Sequence, residues 1–191
     1  MVYIFKIQIK DIKKPPVWRR IAVPSNYTFS RFHEVIQAAF GWENYHQYEF
    51  SLKGYGSDYS ICLPLDPDFD FFGRETRDSE KTKLSTIFKE KGQKFVYIYD
   101  FGDDWIHSIL LEDILDSKVL KAELMAGKGM CPPEDVGGIW GYAYFLESLS
   151  DPKHEEHSTL REWIGLGKDE MWDTAIGADA LLDLAEEVRK V

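Results

Sequence analysis

The chain has 191 residues, of which 44% are hydrophobic, 15% aromatic and 29% charged, with a formal net charge of −10 at pH 7. Abundant aromatics with few Gly and Pro describe one acidic domain built on a single core, and exclude a disordered or fibrous chain. No apolar run reaches the roughly 18 residues of a membrane-spanning helix, the N-terminus lacks a signal peptide's continuous apolar stretch, and Cys62 and Cys131 read as free thiols, so a cytoplasmic location is expected.

Val2–Lys10 alternates apolar and polar residues after Tyr3, the pattern of a half-buried strand, until Lys13-Lys14-Pro15-Pro16 breaks it. Val17–Val23 reads as a second strand, and the two suggest an N-terminal β-ribbon. Residues 1–32 hold seven Lys or Arg against one acid, Asp11. Arg19, Arg20 and Arg31 are therefore a candidate anion or nucleic-acid patch, weighed against strand lysines that merely solubilise a wet face. Thr28 suits an N-cap and Gly41 a C-terminal stop for a helix whose Phe29, Phe32, Val35, Ile36, Ala39 and Phe40 recur at helical spacing.

Tyr45–Lys53 predicts a strand closed by the turn Gly54–Asp58. Residues 64–80 are rich in Pro and Asp and read as a surface loop. Their Asp66-x-Asp68-x-Asp70 spacing fails as a calcium loop, because Phe71 and Arg77 stand where the turn glycine and the bidentate glutamate belong. Thr82–Lys91 predicts a short helix, and Lys94–Tyr99 with Trp105–Glu112 a hairpin about Asp100-Phe101-Gly102-Asp103-Asp104. Lys118–Lys128 is weakly helical in pattern, and Met130–Gly138 must be an ordered loop. Tyr142–Leu149, Thr159–Ile164 and Ala178–Lys190 read as helices. Strands early and centrally with helices late predict an α+β fold: a largely antiparallel sheet, helices packed on one face, and a helical C-terminal third.

Three polar clusters carry candidate chemistry: one around His46, one from Tyr99 to His107, and one from Cys131 to Gly138. If they meet, His46, Asp100, Asp103, His107, Cys131, Glu134 and Asp135 offer imidazole, thiolate and carboxylate donors, a set suited to zinc or another divalent metal. None of them has the close spacing of a CxxC or HxxxH pair. Alternation places His107 on the apolar face with Trp105, Ile109 and Leu111, where the simpler role is a core histidine donating to a carboxylate such as Asp103 or to a carbonyl. Cys131 could instead be a nucleophile paired with a distant histidine. Asp100-Phe101-Gly102 matches a kinase metal motif by chance, and Gly137-Gly138 lacks a phosphate-loop context, which leaves a tight approach into the following helix. His154 and His157 fit a solvated helix start, and His33 a structural place on the apolar helix face.

Taken in order, Trp18-Arg19-Arg20, Phe40-Gly41-Trp42, His46, Tyr99-Asp100-Phe101-Gly102-Asp103-Asp104-Trp105-x-His107 and Cys131-Pro132-Pro133-Glu134-Asp135-x-Gly137-Gly138 resemble the plasmid pRiA4b Orf-3-like family. The resemblance covers about residues 2–165 and leaves 166–191 as a C-terminal helical extension of a single domain over 1–191. Gln47 departs from it, standing where an apolar residue is expected after His46. Members also occur as insertion-sequence passenger proteins with a resolvase-like label, which points to mobile genetic elements. The resemblance implies an α+β fold and brings no established activity or catalytic residues. Serine recombination itself fits poorly: Ser25 and Ser30 lie near Arg19, Arg20 and Arg31, but the chain beyond residue 32 is acidic and supplies no DNA-binding region.

The leading expectation is a non-enzymatic binding or interaction module for a protein or nucleic-acid partner. The runner-up is a metal-dependent hydrolase or transferase using His46, His107, Cys131, Glu134 and Asp135. A third reading makes Asp100, Asp103, Glu134 and Asp135 turn caps and hydrogen-bond partners that join the loops. An exposed N-terminal strand would also be free to pair with a second copy of the chain.

Overall fold

Alternation in the N-terminal ribbon builds the middle of a sheet. The structure, a computed structural model, describes residues 1–64, 74–117 and 120–191. Its strands are β1 (Val2–Ile9), β2 (Trp18–Pro24), β3 (Tyr48–Ser51), β4 (Tyr59–Cys62), β5 (Glu75–Asp78), β6 (Lys94–Tyr99), β7 (Trp105–Leu115) and β8 (Glu123–Lys128). Its helices are α1 (Phe29–Phe40), α2 (Leu84–Ile87), α3 (Gly138–Ser150), α4 (His157–Trp163) and α5 (Ala178–Lys190). The eight strands form one sheet in the order β5-β4-β3-β6-β7-β1-β2-β8. Its pairings are antiparallel except β4 with β5, so the fold is α+β with a mostly antiparallel sheet.

In β1, Phe5, Ile7 and Ile9 are wholly buried, while Lys6, Gln8 and Lys10 alternate with them toward solvent. A register shift opposite β7 between Ile4 and Phe5 lets both neighbours pack, and Val2, Ile4 and Ala22 make a small second core. β1 lies between β7 and β2, so the free N-terminal strand expected from sequence is an interior one; β5 and β8 are the ends of the sheet.

The covered face receives α1. Thr28 accepts the Arg31 amide at 3.2 Å as N-cap, and Gly41 ends the helix at φ 83°, a left-handed conformation that a side chain would strain. Phe32 packs against Phe5 and Phe29 against Phe50, with ring centroids 4.8 and 5.1 Å apart. Burial of such rings is the main stabilising term, roughly 1.5–3 kcal/mol per side chain.

Two expectations are corrected, and one strand, β4, was not foreseen. Lys118–Lys128 contains β8, not a helix: its Ala, Leu and Met are good helix formers, but pairing with β2 from Trp18↔Lys128 to Ala22↔Glu123 overrides local propensity. The loop expected over 64–80 ends in β5, which pairs in parallel with β4 from Tyr59↔Glu75 to Cys62↔Asp78. β4 follows the Gly-rich turn after β3, and with only four residues its period was too short to read. Asp66, Asp68 and Asp70 lie outside the described residues.

Cys62 and Cys131 are both free and buried. Among the described residues no helix is long and apolar enough to cross a membrane. The helical third closes over the β8 end of the sheet, where α5 sets Leu181 against Gly127 and Leu184 against Gly41.

Candidate functional site

The three clusters meet at one end of the sheet. The turn between β6 and β7 places Asp100 and Asp104 at φ 56° and 55°. Asp100 caps the turn, its Oδ1 accepting the Gly102 amide at 2.8 Å. Asp103 Oδ2 accepts the Gly137 amide at 3.0 Å, so the hairpin turn holds the loop that enters α3. Gly138 follows at φ 65°, where an added Cβ would stand 2.3 Å from the Asp103 carbonyl oxygen, and this is the tight approach the glycine pair suggested.

Glu134 joins the first cluster to the other two. Its Oε1 accepts the Glu43 amide at 2.9 Å and the Tyr99 hydroxyl at 3.0 Å, while Trp42 Nε1 donates to the Pro132 carbonyl at 3.2 Å. Desolvation raises the Glu134 carboxyl above its ordinary range, and the Tyr99 phenol is raised by burial and by Glu134. Glu134 Oε2 is buried and has no hydrogen-bond partner among the described residues.

The core histidines take structural places. His107 is wholly buried, its Nδ1 2.8 Å from the Trp105 carbonyl oxygen, edge-on to Phe40 and Trp42. It therefore uses a backbone carbonyl and not Asp103. His33 stacks on Tyr48 at 3.6 Å and bridges the Tyr97 hydroxyl (2.8 Å) and Asn44 Oδ1 (2.6 Å). Burial pulls His33 down to about 4 and His107 down to about 3, so both are neutral at pH 7. His157 Nδ1 lies 2.9 Å from the Ser148 carbonyl oxygen, and His154 Nδ1 accepts the Glu156 amide, so the charged run is a turn between α3 and α4.

Of the seven candidate donors, the fold gathers three. His46 Nε2 lies 3.0 Å from Asp135 Oδ1 and 3.7 Å from Asp100 Oδ2, and one donor atom from each residue falls within 4.8 Å of the other two. Asp100 is nearly buried and Asp135 is exposed, so this set is open on one side. Asp103, His107, Cys131 and Glu134 stand outside it. The Cys131 thiol is buried beside Arg19, and burial raises it far above an ordinary thiol.

The three arginines do not share a surface. Arg20 pairs with Glu112 at 2.6 Å, and Arg31 donates to the Val191 carbonyl. Arg19 is wholly buried: Nε donates to the Ala39 carbonyl at 2.8 Å, and Nη1 to those of Trp18, Lys128 and Gly129 at 2.9–3.1 Å. Its plane lies over the Phe40 ring, and it crosses Gly127, where a Cβ would come 2.9 Å from Arg19 Cδ. Nη2 has no partner among the described residues.

Arg19 also lines a cleft of about 620 Å³ between the end of α1, the loop 130–135 and the C-terminal helices. Aromatic and aliphatic walls come from Phe40, Trp42, Trp163, Trp172 and Leu184, and Glu43, Glu134, Asp135 and Asp183 add acids.

Comparison with known proteins matches residues 1–177 to the model of the plasmid pRiA4b ORF-3-like proteins. The chain belongs to the plasmid pRiA4b ORF-3-like family. It is 42% identical over 157 residues to the uncharacterized protein y4hQ of Sinorhizobium fredii, covering 81% of this chain and 77% of that one. It also resembles the crystal structure of MM3350, a protein of unknown function from Methanosarcina mazei Go1, at 38% identity and a TM-score of 0.78 over 95% of each chain.

Within this family member the match runs past residue 165 and takes in Trp172, which the shorter resemblance left out. The cleft walls Trp163 and Trp172 were missed because each is a lone aromatic in a polar stretch. Arg19 was misplaced although its parity was readable: in Val17-x-Arg19-x-Ile21-x-Val23 it shares the inward face with three buried neighbours.

Proposed function

We propose that this plasmid pRiA4b ORF-3-like protein is a binding module, and that it binds a small organic ligand in the cleft bounded by Arg19, Trp42 and the loop 130–135. The observation that carries this reading is the cleft itself, about 620 Å³ with mostly apolar walls and a few convergent polar groups. The state of the groups nearby favours binding over nucleophilic catalysis. A buried thiol raised like that of Cys131 is a poor nucleophile, and His107, neutral and bonded to a carbonyl, is no base for it. A nucleic-acid surface on the ribbon has less support, since Arg19, Arg20 and Arg31 are each engaged elsewhere.

The test is a saturation-transfer NMR screen of small fragments against the full chain and against Ala180→Trp, which fills the cleft. Hits that disappear in Ala180→Trp are expected; no hits, or hits that persist, would overturn the reading.

A second reading rests on His46, Asp100 and Asp135. An imidazole and two carboxylates in reach of one point are a donor set for zinc or another divalent ion, which would serve a metal-dependent hydrolase or transferase. Metal content of the untagged protein, after incubation with zinc or manganese and desalting, separates the two. Near-stoichiometric metal lost in His46→Ala supports the metal centre; equal, low content in both proteins removes it.

A further inference from the structure

Resting on the cleft as the binding site, we infer that its ligand is a small monocarboxylic acid with a flat apolar body, and that Arg19 Nη2 receives the carboxylate. Arg19 lines the cleft and is itself wholly buried. Its other two nitrogens are committed to the Ala39, Trp18, Lys128 and Gly129 carbonyl oxygens, which hold the guanidinium in place and leave Nη2 as its unused donor. These carbonyls are neutral acceptors. A guanidinium taken out of water without a counter-ion is costly, and a fully buried positive charge with an unused donor is a place for an anion.

Among the described residues no side chain supplies that anion. Cys131 is the titratable group coupled to Arg19, and its buried thiol stays protonated. Glu43, Glu134, Asp135 and Asp183 line the same cleft, but no ion pair joins any of them to Arg19. They do select among anions. Four acidic residues lining the same cleft repel a dianion such as a phosphate monoester more than a monoanion, and one free nitrogen matches one carboxylate oxygen better than three phosphoryl oxygens. The apolar walls set the rest of the molecule: Trp163 and Trp172 line the cleft and are both reached by solvent, so their rings can pack against an aromatic or similarly flat body.

The experiment is a calorimetric titration of the full-length chain at pH 7 with three probes of one shape: phenylacetate, its neutral isostere phenylacetamide, and phenyl phosphate. Saturable binding of phenylacetate is expected, with phenylacetamide and phenyl phosphate each at least about tenfold weaker, a difference of about 1.4 kcal/mol. Arg19→Met should lose phenylacetate binding. Because Arg19 is part of the core, this variant counts only if its amide NMR spectrum is that of a folded chain, and the three-probe comparison on the natural protein decides without it. Equal binding of the amide, or tighter binding of the phosphate, would overturn the carboxylate while leaving the cleft as a binding site. Silence from all three probes alongside hits in the fragment screen would also overturn the carboxylate alone, whereas silence in both would overturn the cleft.

Discussion

Asp103 and Gly137 are joined by a 3.0 Å hydrogen bond from the Gly137 amide to the Asp103 carboxylate, a clasp across 34 residues of sequence. Beside it, Gly138 lies against the Asp103 backbone so closely that no side chain fits. The β6–β7 turn and the start of α3 are therefore one packed unit that holds the end of the loop 131–137, while Trp42 Nε1 holds its beginning through the Pro132 carbonyl. That loop forms one wall of the cleft and carries Asp135 to His46. The acids of the turn and the loop thus divide their labour: Asp103 clasps, Asp100 caps the turn and faces His46, and Glu134 ties Tyr99 to the residue after Trp42.

Asp103→Ala should lower unfolding free energy by about 1 kcal/mol, because it removes one hydrogen bond to a charged acceptor at a partly exposed position. Gly138→Ala should cost more, over about 2 kcal/mol, since it combines a left-handed backbone with a clash against carbonyl oxygen. Urea midpoints at pH 7 check both. Equal effects would mean that the close approach relaxes freely.

Acid should destabilise the fold earlier than its carboxylates require. His33 and His107 are held down to about 4 and about 3 by burial, whereas unfolded histidines titrate near 6.5. In that interval the unfolded chain binds protons that the folded chain does not, so the stabilisation present above pH 6.5 is lost as pH falls below it. From pH 6 to pH 5 the pair should cost about 2 kcal/mol, and in His33→Gln about half of that drop should vanish. Denaturant titrations at the two pH values measure it; a flat stability across the interval would contradict the buried neutral histidines.

Cys131 should resist alkylation. Its thiol is buried and raised by desolvation, and Cys62 is likewise buried and raised. Iodoacetamide at pH 8 followed by intact mass should show no adduct on the native chain within an hour and two adducts in guanidinium. Rapid single labelling of the native chain, mapped to Cys131, would restore the nucleophile reading.

Much of the fold was legible. Thr28 and Gly41 bracket α1 as their cap chemistry requires, and the Asp-Gly-rich turn set β6 and β7. What escaped is what depends on partners far along the chain. β8 reads as a weak helix until β2 is laid beside it, and β5 exists through its parallel neighbour β4. At the site, the union of His46, Asp100 and Asp135 was among the donors considered. His107 was kept among those donors although strand alternation already put it on the inward face, where the structure finds it buried and outside the set. Arg19 is the instructive case. Its neighbours in sequence made it look like part of a basic surface, while its parity with Ile21 and Val23 placed it inside, and only the packing reveals that it lines a cleft and keeps an unused donor.

The six tryptophans offer the most direct test of the binding cleft, because each gives one indole signal. Trp42 and Trp172 line the cleft, whereas Trp18 packs under Lys6 on the sheet and Trp140 stands exposed on α3. In a titration of the nitrogen-15-labelled chain with phenylacetate, the indole signals of Trp42 and Trp172 should move saturably while those of Trp18 and Trp140 stay in place. Stationary Trp42 and Trp172 signals, or a shift led by Trp18 or Trp140, would contradict the account.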